Sequence, residues 1–554
     1  MFRRSLLALV AAASLVTASP LEARQQATST SSATPTSTLA STSTSASSNG
    51  SFPTDIGYPG KVKQGLQSPF LVQADKINST APNLPQAPAP YESRWSAVDD
   101  KNGSFHIFKN LGNTSPYFSS PLFPETQANR ILADTCNISQ VHILHRHGAR
   151  FPTSSTTEGA PFFGAYIANV TANGTAINGT GPLTFLNDWQ YELGAEILTR
   201  IGTQQLFDSG VQHNLLYGKL YNASTQAHKP VVRTTSQSRM LDSARYFTLG
   251  FFGWNASEAI NLEVILEGDG FNNTLASYDT CNNSNIATVG DTLLRPVWDP
   301  IYLKDAIQRL QQYTSLNLTT ELVYGMQSLC AYETMAFGYS NFCGLFTKEE
   351  WLGFEYDLDL QFQGDYGFMN PTGKAQGIGW AQELLGRLTN NTQISPITTQ
   401  NSSLLVDPYF PIDQPLYMDF THDDIIVSVL TALNFTQFAD FLDPNNRTEP
   451  RNFILSQITP FAARLVFEVI ECSNGTANAN ATQYIRAKIG EAVIPWSADQ
   501  GCGGQGVVNS TLCPLPDFIR YQQETAVKAA SFDQACFGPT PNVTLDTIPR
   551  NGTI

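Results

Sequence analysis

The stretch Gln140-Val-His-Ile-Leu-His-Arg-His-Gly-Ala-Arg-Phe-Pro-Thr153 decides how the chain is interpreted. Val141, Ile143 and Leu144 form its apolar part, which is typical of a buried strand. Gly148 and Pro152 then break the regular structure, as residues at the exit of a strand commonly do. The stretch therefore predicts a buried strand that ends in a polar, kinked turn.

That turn holds two arginines and a histidine, Arg146, His147 and Arg150, in a chain with few charges. Guanidinium groups match phosphate oxygens bidentately and stay charged at every relevant pH. They also disfavour protonation of a neighbouring imidazole, so a ring nitrogen stays free to attack phosphorus. The alternative is a basic surface loop with a solvated histidine, and composition alone does not separate the two.

A second run, Leu416-Tyr-Met-Asp-Phe-Thr-His-Asp-Asp424, places a histidine and an aspartate at the polar end of another predicted strand. Ligands of open α/β sheets gather at the carboxyl ends of strands, so His422 and Asp423 could bind phosphate and donate a proton. The alternative is an ordinary strand end followed by a helix cap at Asp423 or Asp424.

The composition excludes several classes of function. The 554 residues include 42% apolar residues, which is enough for a sizeable core. Lys and Arg number 32 and Asp and Glu 47, which gives a net charge of −15. Nucleic acids and anionic membranes attract clustered positive charge, so neither is an expected partner.

The beginning of the chain predicts secretion. Arg3 and Arg4 precede an apolar run that is too short to span a membrane and ends in small residues, which is typical of a signal peptide over residues 1–18. Residues 19–85, rich in Ser and Thr, are expected to form a disordered stalk with O-linked glycans. Many Asn-x-Ser/Thr acceptors follow, so we expect a secreted, extracellular protein with N-linked glycans, and cell-wall association stays open.

Eight cysteines in a secreted chain predict four disulfides. Their spacing favours Cys330–Cys343 and Cys502–Cys513 and leaves Cys136, Cys281, Cys472 and Cys536 ambiguous. The chain has no Cys-x-x-Cys pair and only seven histidines, so a Cys/His metal site is not expected.

Taken together, Arg-His-Gly-x-Arg-x-Pro at 146–152 and His422-Asp423 far downstream resemble the histidine acid phosphatase family, and within it the fungal secreted acid phosphatases and phytases. Val231–Arg239, Cys343–Trp351 and Tyr366–Gly379 resemble further stretches of these proteins. The resemblance covers roughly residues 105–540.

The resemblance implies an α/β fold with a mainly parallel central sheet flanked by helices, of the phosphoglycerate-mutase-like kind. A smaller α-helical domain is expected to be inserted after the strand that carries Arg233. The implied boundaries are 86–250 and 361–554 for the two parts of the phosphatase domain and 251–360 for the mostly helical insert. Helical spacing of apolar residues at 301–337 agrees with this outline.

The resemblance also implies roles for single residues. It places the nucleophile at His147 and the proton donor at Asp423, and it requires no cofactor and no metal. It adds the disulfides Cys136–Cys472 and Cys281–Cys536 to the two local pairs. The phosphate clamp that it implies consists of Arg146, Arg150, Arg233 and His422.

We therefore predict a broad-specificity acid phosphatase that hydrolyses small phosphomonoesters through a phosphohistidine. A dedicated phytase is the alternative, and two features of the sequence disfavour it. No Lys or Arg occurs from Phe151 to Thr199, and Asp424 adds negative charge where fungal phytases usually have Asn. A non-catalytic secreted glycoprotein and a cofactor-dependent mutase are further alternatives. His145 is interpreted as a hydrogen-bonded strand-end residue rather than a catalyst.

Overall fold

The computed structural model describes residues 105–222, 228–268, 270–286, 288–392, 398–473, 481–502, 510–527 and 531–553. The predicted signal peptide and stalk, and residues 86–104 of the first predicted phosphatase segment, lie outside these ranges. No helix within them is long and apolar enough to cross a membrane.

The core of the described chain is a mixed sheet of eight strands in the order β3-β2-β4-β1-β5-β6-β7, with β8 paired to β6. β1, β4, β2 and β3 are parallel, whereas β5, β6, β7 and β8 add antiparallel ladders. The predicted α/β class is confirmed, but "mainly parallel" holds only for the half of the sheet that ends in β3. The strands are β1 Cys136–Arg146, β2 Val231–Thr235, β3 Asn261–Ile265, β4 Leu416–Thr421, β5 Arg464–Cys472, β6 Thr482–Ile489, β7 Ala492–Val493 and β8 Cys513–Pro514.

Helices cover both faces of the sheet, which explains why the central strands are buried on both sides rather than on alternate residues. β1 is buried from Val141 to Arg146, and all of β4 is buried. The α-helices are α1 Gly159–Ala172, α2 Arg200–Tyr217, α3 Ser238–Phe252, α4 Ala256–Ala259, α5 Arg295–Tyr302, α6 Lys304–Leu310, α7 Thr320–Phe337, α8 Lys348–Asp365, α9 Gly373–Thr389, α10 Asp423–Ala432, α11 Leu455–Ile458, α12 Leu515–Tyr521 and α13 Phe532–Phe537.

The helices form two layers around the sheet. α2 and α3 pack together, and their apolar residues share a core with Val141 and Met418. α9 and α10 pack together within the larger core that includes Leu144 and Phe467. The expected helix–sheet–helix arrangement is therefore present.

The predicted insert, 251–360, is mostly helical, but it also contains β3, which pairs with β2 in the central sheet. Only the short α4 and the end of α3 precede β3, and the longer helices of the segment, α5 to α8, follow it. The Thr319 side chain accepts a hydrogen bond from the Leu322 N–H at the start of α7, and Thr347 and Glu350 form a capping box at the start of α8. The predicted helical stretch 301–337 contains α6 and α7.

Four disulfides join Cys136–Cys472, Cys281–Cys536, Cys330–Cys343 and Cys502–Cys513. They are the same four pairs that the family resemblance implies. Cys136 and Cys472 lie opposite each other in the ladder between β1 and β5, so this bridge fixes the amino end of the central strand.

A buried charge cluster underlies the parallel half of the sheet. Asp419 in β4 accepts hydrogen bonds from Arg233 Nε at 2.7 Å, Arg387 Nη1 at 2.8 Å and Trp380 Nε1 at 2.8 Å. Glu383 in α9 contacts Arg233 Nη2 at 2.7 Å. The cluster ties β2, β4 and α9 together, and its two guanidiniums hold the pKa of Asp419 far below its ordinary value although burial opposes this.

Glu263 lies at the edge of this cluster, opposite Arg233 in the register of β3 with β2. Its Oε1 is buried without a hydrogen-bond partner in the described chain. Burial, opposed by Arg233 but reinforced by Glu383 and Asp419, raises the pKa of Glu263 to about 7. The folded state therefore binds the Glu263 proton more tightly than the unfolded chain does.

A carboxyl group whose pKa is higher in the folded state than in the unfolded chain stabilises the fold fully below a pH of about 4.5. This stabilisation is lost as the pH rises through about 7. Glu263→Gln removes this loss, so the variant should be more stable than wild type at pH 8 by roughly 1–2 kcal/mol and nearly equal to it at pH 4.5. Thermal unfolding at both pH values measures the difference. Glu258→Gln, at an exposed position of α4, is the matched control and should show no such pH dependence. A Glu263→Gln midpoint below wild type at pH 8 would contradict the expectation.

Candidate active site

The carboxyl ends of the four parallel strands meet at one edge of the sheet. β1 leads to His147, β4 leads to His422, and β2 leads through a short turn to Arg239 in the first turn of α3. A cavity of about 390 Å³ opens there, and all three residues line it. The main chains of the two predicted motifs are joined directly, because the His147 N–H donates to the Thr421 carbonyl at 3.2 Å.

The turn after β1 needs glycine because α2 passes very close to it. A Cβ on Gly148 would lie 2.4 Å from the carbonyl oxygen of Gly202, and a Cβ on Gly202 would lie 1.9 Å from that of Ala149. Backbone atoms cannot move aside as a flexible side chain can. The approach of α2 thus fixes the path of the chain between His147 and Arg150.

The hydrogen bonding of His147 determines which ring nitrogen can react. Its Nδ1 lies 2.8 Å from the Gly148 carbonyl oxygen, which can only accept a hydrogen bond. Nδ1 therefore carries the proton in the neutral ring, and Nε2 holds the lone pair. The side chain is only 1% exposed, so the orientation of the ring is fixed by its surroundings.

The electrostatic surroundings keep the His147 ring neutral. Burial, followed by the positive charges of Arg146 and Arg150, holds the pKa of His147 well below its ordinary value. A neutral imidazole at acidic pH is the form that can attack phosphorus. The expectation that neighbouring guanidiniums leave a ring nitrogen free agrees with this environment.

Arg146 and Asp423 form a buried pair beside His147. Arg146 Nη2 lies 2.8 Å from Asp423 Oδ2, and Arg146 Nη1 donates to the carbonyls of Thr459 at 2.7 Å and of Asn113. The Asn113 side-chain amide donates to the same Asp423 oxygen at 2.6 Å. The Phe461 ring packs 4.7 Å from the guanidinium carbon of Arg146.

Asp423 and Asp424 are adjacent and line the same cavity, but their pKa values are shifted in opposite directions. Burial raises the pKa of Asp423, but Arg146 and the hydrogen bond from Asn113 outweigh it, so the net shift is downward. Asp424 has no arginine partner, and burial together with the neighbouring Asp423 raises its pKa to about 7. At pH 5 the first is a carboxylate and the second is a neutral acid.

The placement of Arg233 differs from the expectation. Its Nε and Nη2 are engaged by Asp419 and Glu383, and it is not among the described residues that line the cavity. Arg233 is the middle residue of β2, so its side chain lies within the sheet and not at the end of the strand. The cavity is lined instead by Arg239, which the sequence analysis placed in the same segment but gave no role.

The guanidiniums at the cavity retain hydrogen-bonding capacity. Arg150 Nη1 donates to the Phe151 carbonyl at 2.9 Å, and Arg239 Nη1 contacts Glu196 at 2.7 Å. The Nε atoms of Arg146, Arg150 and Arg239 have no hydrogen-bond partner in the described chain. Arg150 and Arg239 line the cavity, so their free donors are available to an anionic ligand. Arg146 is not itself a described lining residue but contacts the lining residue Asp423, whereas the donors of Arg233 that face Asp419 are taken.

His422 lies across the cavity from the nucleophile, with the two imidazole ring centroids 5.8 Å apart. Its Nε2 lies 3.2 Å from Oε2 of Glu267, and the ring of Tyr278 packs against it with centroids 5.8 Å apart. His145, by contrast, faces away from the cavity. Its Nδ1 donates to the Arg146 carbonyl at 2.7 Å and its Nε2 lies 2.8 Å from the Ser209 hydroxyl, as expected of a strand-end residue.

The helices α7 and α8 form the wall of the cavity opposite the strand ends. The side chains that they place at the cavity are uncharged and mostly aromatic. They are Tyr324, Ser328, Tyr332, Phe354, Leu358, Gln361 and Phe362, and Tyr366 follows directly after α8. Among the described lining residues, Arg150 and Arg239 are the only Lys or Arg side chains.

The sequence analysis gave no role to Asn113 and Arg239, which line the cavity, or to Glu267, which lies behind it in contact with His422. Arg239 was within a segment already singled out, and its position after a predicted strand was a usable signal. Glu267 follows the apolar run of β3 in the same way. Asn113 comes from a short 3₁₀ turn upstream of β1, and its sequence carries no comparable signal.

A neutral, buried histidine at the end of a parallel strand, with guanidiniums around it, is suited to accept a phosphoryl group, so fold and cavity define a phosphomonoesterase. Comparison with known proteins agrees. Residues 137–489 match the histidine phosphatase superfamily (branch 2), and the chain belongs to this family. It is thus a phosphoric monoester hydrolase, as the sequence analysis predicted.

Similar proteins include both enzyme types that the sequence analysis considered. Phytase A of Aspergillus oryzae is 31% identical over 452 residues, which cover 78% of this chain and 91% of that protein. The thiamine-repressible acid phosphatase of Schizosaccharomyces pombe is 29% identical over 477 residues, which cover 81% and 95%. The crystal structure of the phytase from D. castellii shares the fold with a TM-score of 0.64 at 23% identity, covering 79% of this chain and 90% of that one.

Asp424 should set part of the alkaline limit of activity. Ionisation near pH 7 puts a negative charge in the cavity, which repels a phosphate group. Asp424→Asn stays neutral, so the ratio of its kcat/KM for p-nitrophenyl phosphate to that of wild type should be about five- to tenfold higher at pH 8 than at pH 5. Glu158→Gln, which removes a carboxyl at the cavity mouth with a side chain 59% exposed, is the control and should give similar ratios at both pH values. A constant ratio for Asp424→Asn would contradict the expectation.

Proposed function

We propose that the protein is a broad-specificity acid phosphatase rather than a dedicated phytase. The observation that carries this proposal is the uncharged wall formed by α7 and α8. A substrate such as phytate has six phosphates, of which one occupies the clamp and five need positive charge around it. The sequence left open whether the helical segment supplies that charge, and its described lining residues supply tyrosines, phenylalanines and hydroxyls instead.

The arginine of the helical segment that contacts a cavity-lining residue, Arg295, does not compensate. Arg295 contacts Glu158, a cavity-lining residue, at 3.2 Å. It is also paired with Asp291 at 2.8 Å and with the buried Asp357 at 3.0 Å. Three carboxylates around one guanidinium leave a net negative charge on this side of the cavity, which disfavours a polyanion.

One argument from the sequence carries less weight than expected. Asp424 was taken to add a charge of the wrong sign, but its raised pKa leaves it uncharged at acidic pH. The preference for simple phosphomonoesters therefore rests on missing cations and not on Asp424. The phytase alternative is supported by the names of similar proteins, several of which are Phytase A.

In the proposed reaction His147 Nε2 attacks phosphorus and the ester oxygen leaves, which gives a phosphohistidine. Nδ1 keeps its hydrogen bond to the Gly148 carbonyl and so holds the ring in line. Arg146, Arg150 and Arg239 balance the charge on the phosphoryl oxygens, together with His422. Arg239 takes the place that the sequence analysis gave to Arg233.

Asp423 is proposed to give a proton to the leaving oxygen and then to take one from the water that hydrolyses the phosphohistidine. In the described structure Arg146 and Asn113 favour its carboxylate form. A bound phosphate dianion interacts with the same guanidinium and counters that effect, so substrate binding favours the protonated acid. Proton donation is thus coupled to occupation of the clamp.

We further propose that the protein acts outside the cell. The N-terminal signal sequence and four disulfides support this location. Exposed acceptors such as Asn173 and Asn317 are suited to carry glycans. Asn434 is not, since its amide donates to the Tyr521 hydroxyl at 2.7 Å and its oxygen accepts from Lys374 at 3.3 Å.

His147→Ala should lower turnover of p-nitrophenyl phosphate by at least about three orders of magnitude, because the covalent route is lost. Rapid quench in alkali with ³²P-labelled substrate should trap label on wild type, and label that is stable in alkali but lost in acid identifies a phosphohistidine. His145→Asn, at a buried histidine outside the cavity, is the control and should retain the label. Label retained by His147→Ala would place the nucleophile elsewhere.

Substrate preference is tested by kcat/KM for phytate and for p-nitrophenyl phosphate at pH 5. The missing cations should make phytate no better a substrate than p-nitrophenyl phosphate, and each absent surface contact costs about a few tenths to one kcal/mol. Tyr332→Lys adds a cation to the wall and should raise the ratio of kcat/KM for phytate to that for p-nitrophenyl phosphate severalfold. A wild-type preference for phytate of tenfold or more would establish the phytase alternative instead.

A further inference from the structure

Glu267 is a buried carboxylate that the proposed reaction does not use. It lies two residues beyond β3, at the same edge of the sheet as the other cavity residues. Its side chain is 3% exposed, and its Oε2 lies 3.2 Å from Nε2 of His422. Its Oε1 accepts hydrogen bonds from the Tyr278 hydroxyl and the Gln237 amide.

The backbone of Glu267 is held as well as its side chain. The Glu267 N–H donates to the Ser236 hydroxyl at 3.0 Å, which ties the residue to the turn between β2 and α3. Both carboxylate oxygens are therefore positioned by contacts with three separate segments. A carboxylate restrained in this way can fix the ring that it contacts.

The charge state of Glu267 determines the proton position on His422. Burial raises the pKa of Glu267, but the hydrogen bond and charge of His422 outweigh it and lower that pKa to about 2. An ionised carboxylate only accepts hydrogen bonds, so Nε2 of His422 must carry a proton. Nδ1 is then the ring nitrogen left for a ligand in the cavity, where it accepts from a phosphate hydroxyl or, in the doubly protonated ring, donates to a phosphoryl oxygen.

We propose that Glu267 is a positioning residue that holds the His422 ring with Nε2 protonated and Nδ1 directed to the bound phosphoryl group. This inference rests on the proposed phosphate-binding role of His422. Glu267 itself does not line the cavity among the described residues, so it acts through the imidazole. A buried aspartate orients the catalytic histidine of serine proteases by the same principle.

The other ionisable groups around His422 do not replace Glu267. Asp423 is paired with Arg146, and Asp424 is uncharged at acidic pH. His147 is held neutral, and the Tyr278 hydroxyl is already donated to Glu267. Of these groups, Glu267 is the only carboxylate with a recorded hydrogen bond to the His422 ring.

Loss of the carboxylate should weaken phosphate binding through His422. An amide at position 267 can turn its nitrogen toward Nε2, so that a donor faces a donor where the carboxylate now accepts. The ring is then free to rotate or to take the other tautomer, and Nδ1 is no longer held toward the bound phosphoryl group.

The experiment measures kcat/KM for p-nitrophenyl phosphate and the competitive Ki of inorganic phosphate at pH 5 and 6.5. Glu267→Gln should raise Ki about tenfold at both pH values. Glu267→Asp keeps a charge but shortens the reach, and its Ki should lie between those of wild type and Glu267→Gln. Glu263→Gln changes a glutamate within β3 that lies beside the Asp419 cluster, so its Ki should match wild type.

A double-mutant cycle separates positioning from a general loss of structure. In a His422→Ala background, Glu267→Gln should have no further effect on Ki, because its effect passes through the ring. Equal effects in both backgrounds, or a Ki for Glu267→Gln equal to that of wild type at pH 6.5, would overturn the inference. If the wild-type protein hydrolyses p-nitrophenyl phosphate but Glu267→Gln leaves Ki unchanged, only the role of Glu267 is refuted. If the wild-type protein does not hydrolyse p-nitrophenyl phosphate, the proposed function itself is refuted.

Discussion

The parallel register between β1 and β4 is the constraint on which the active site depends. Arg146 pairs with Thr421, so the first residue after each strand, His147 and His422, emerges at the same level. A slip of one residue would turn every side chain of a strand to the opposite face of the sheet. Two motifs from distant parts of the chain form one cavity because this register is fixed along six residue pairs between Val141 and Arg146.

The protein uses buried arginines in two different ways. Arg233 and Arg387 are balanced by the two carboxylates of Asp419 and Glu383, and they join strands to a helix. At the cavity Arg146 is paired with Asp423, but Arg150 has no carboxylate partner in the described chain, and burial together with these two guanidiniums lowers the pKa of His147. The difference is physical: a compensated guanidinium stabilises the fold, whereas an undercompensated one makes the cavity receptive to an anion.

The sequence allowed the two strands, the turn at Gly148 and the helical segments to be predicted, because each has a local pattern. It did not separate Arg233 from Arg239, since both lie in one segment and only the end of β2 decides which one reaches the cavity. Glu267 and Asn113 were missed for a related reason. Their importance comes from contacts with His422 and Asp423, which are distant in the chain and become visible only in three dimensions.

The position of β4 has a consequence for biosynthesis. This strand is the last of the four parallel strands to be made, yet it lies between β1 and β2, which are made first. Until residue 421 leaves the ribosome, the facing edges of β1 and β2 have no partner, and such edges are prone to pair with other chains. β1 and β2 cannot be joined in one sheet until β4 has been made, which takes the synthesis of nearly two hundred further residues, about 10–40 s at ordinary elongation rates. Over that interval, pairing of their free edges with other chains competes with completion of the sheet.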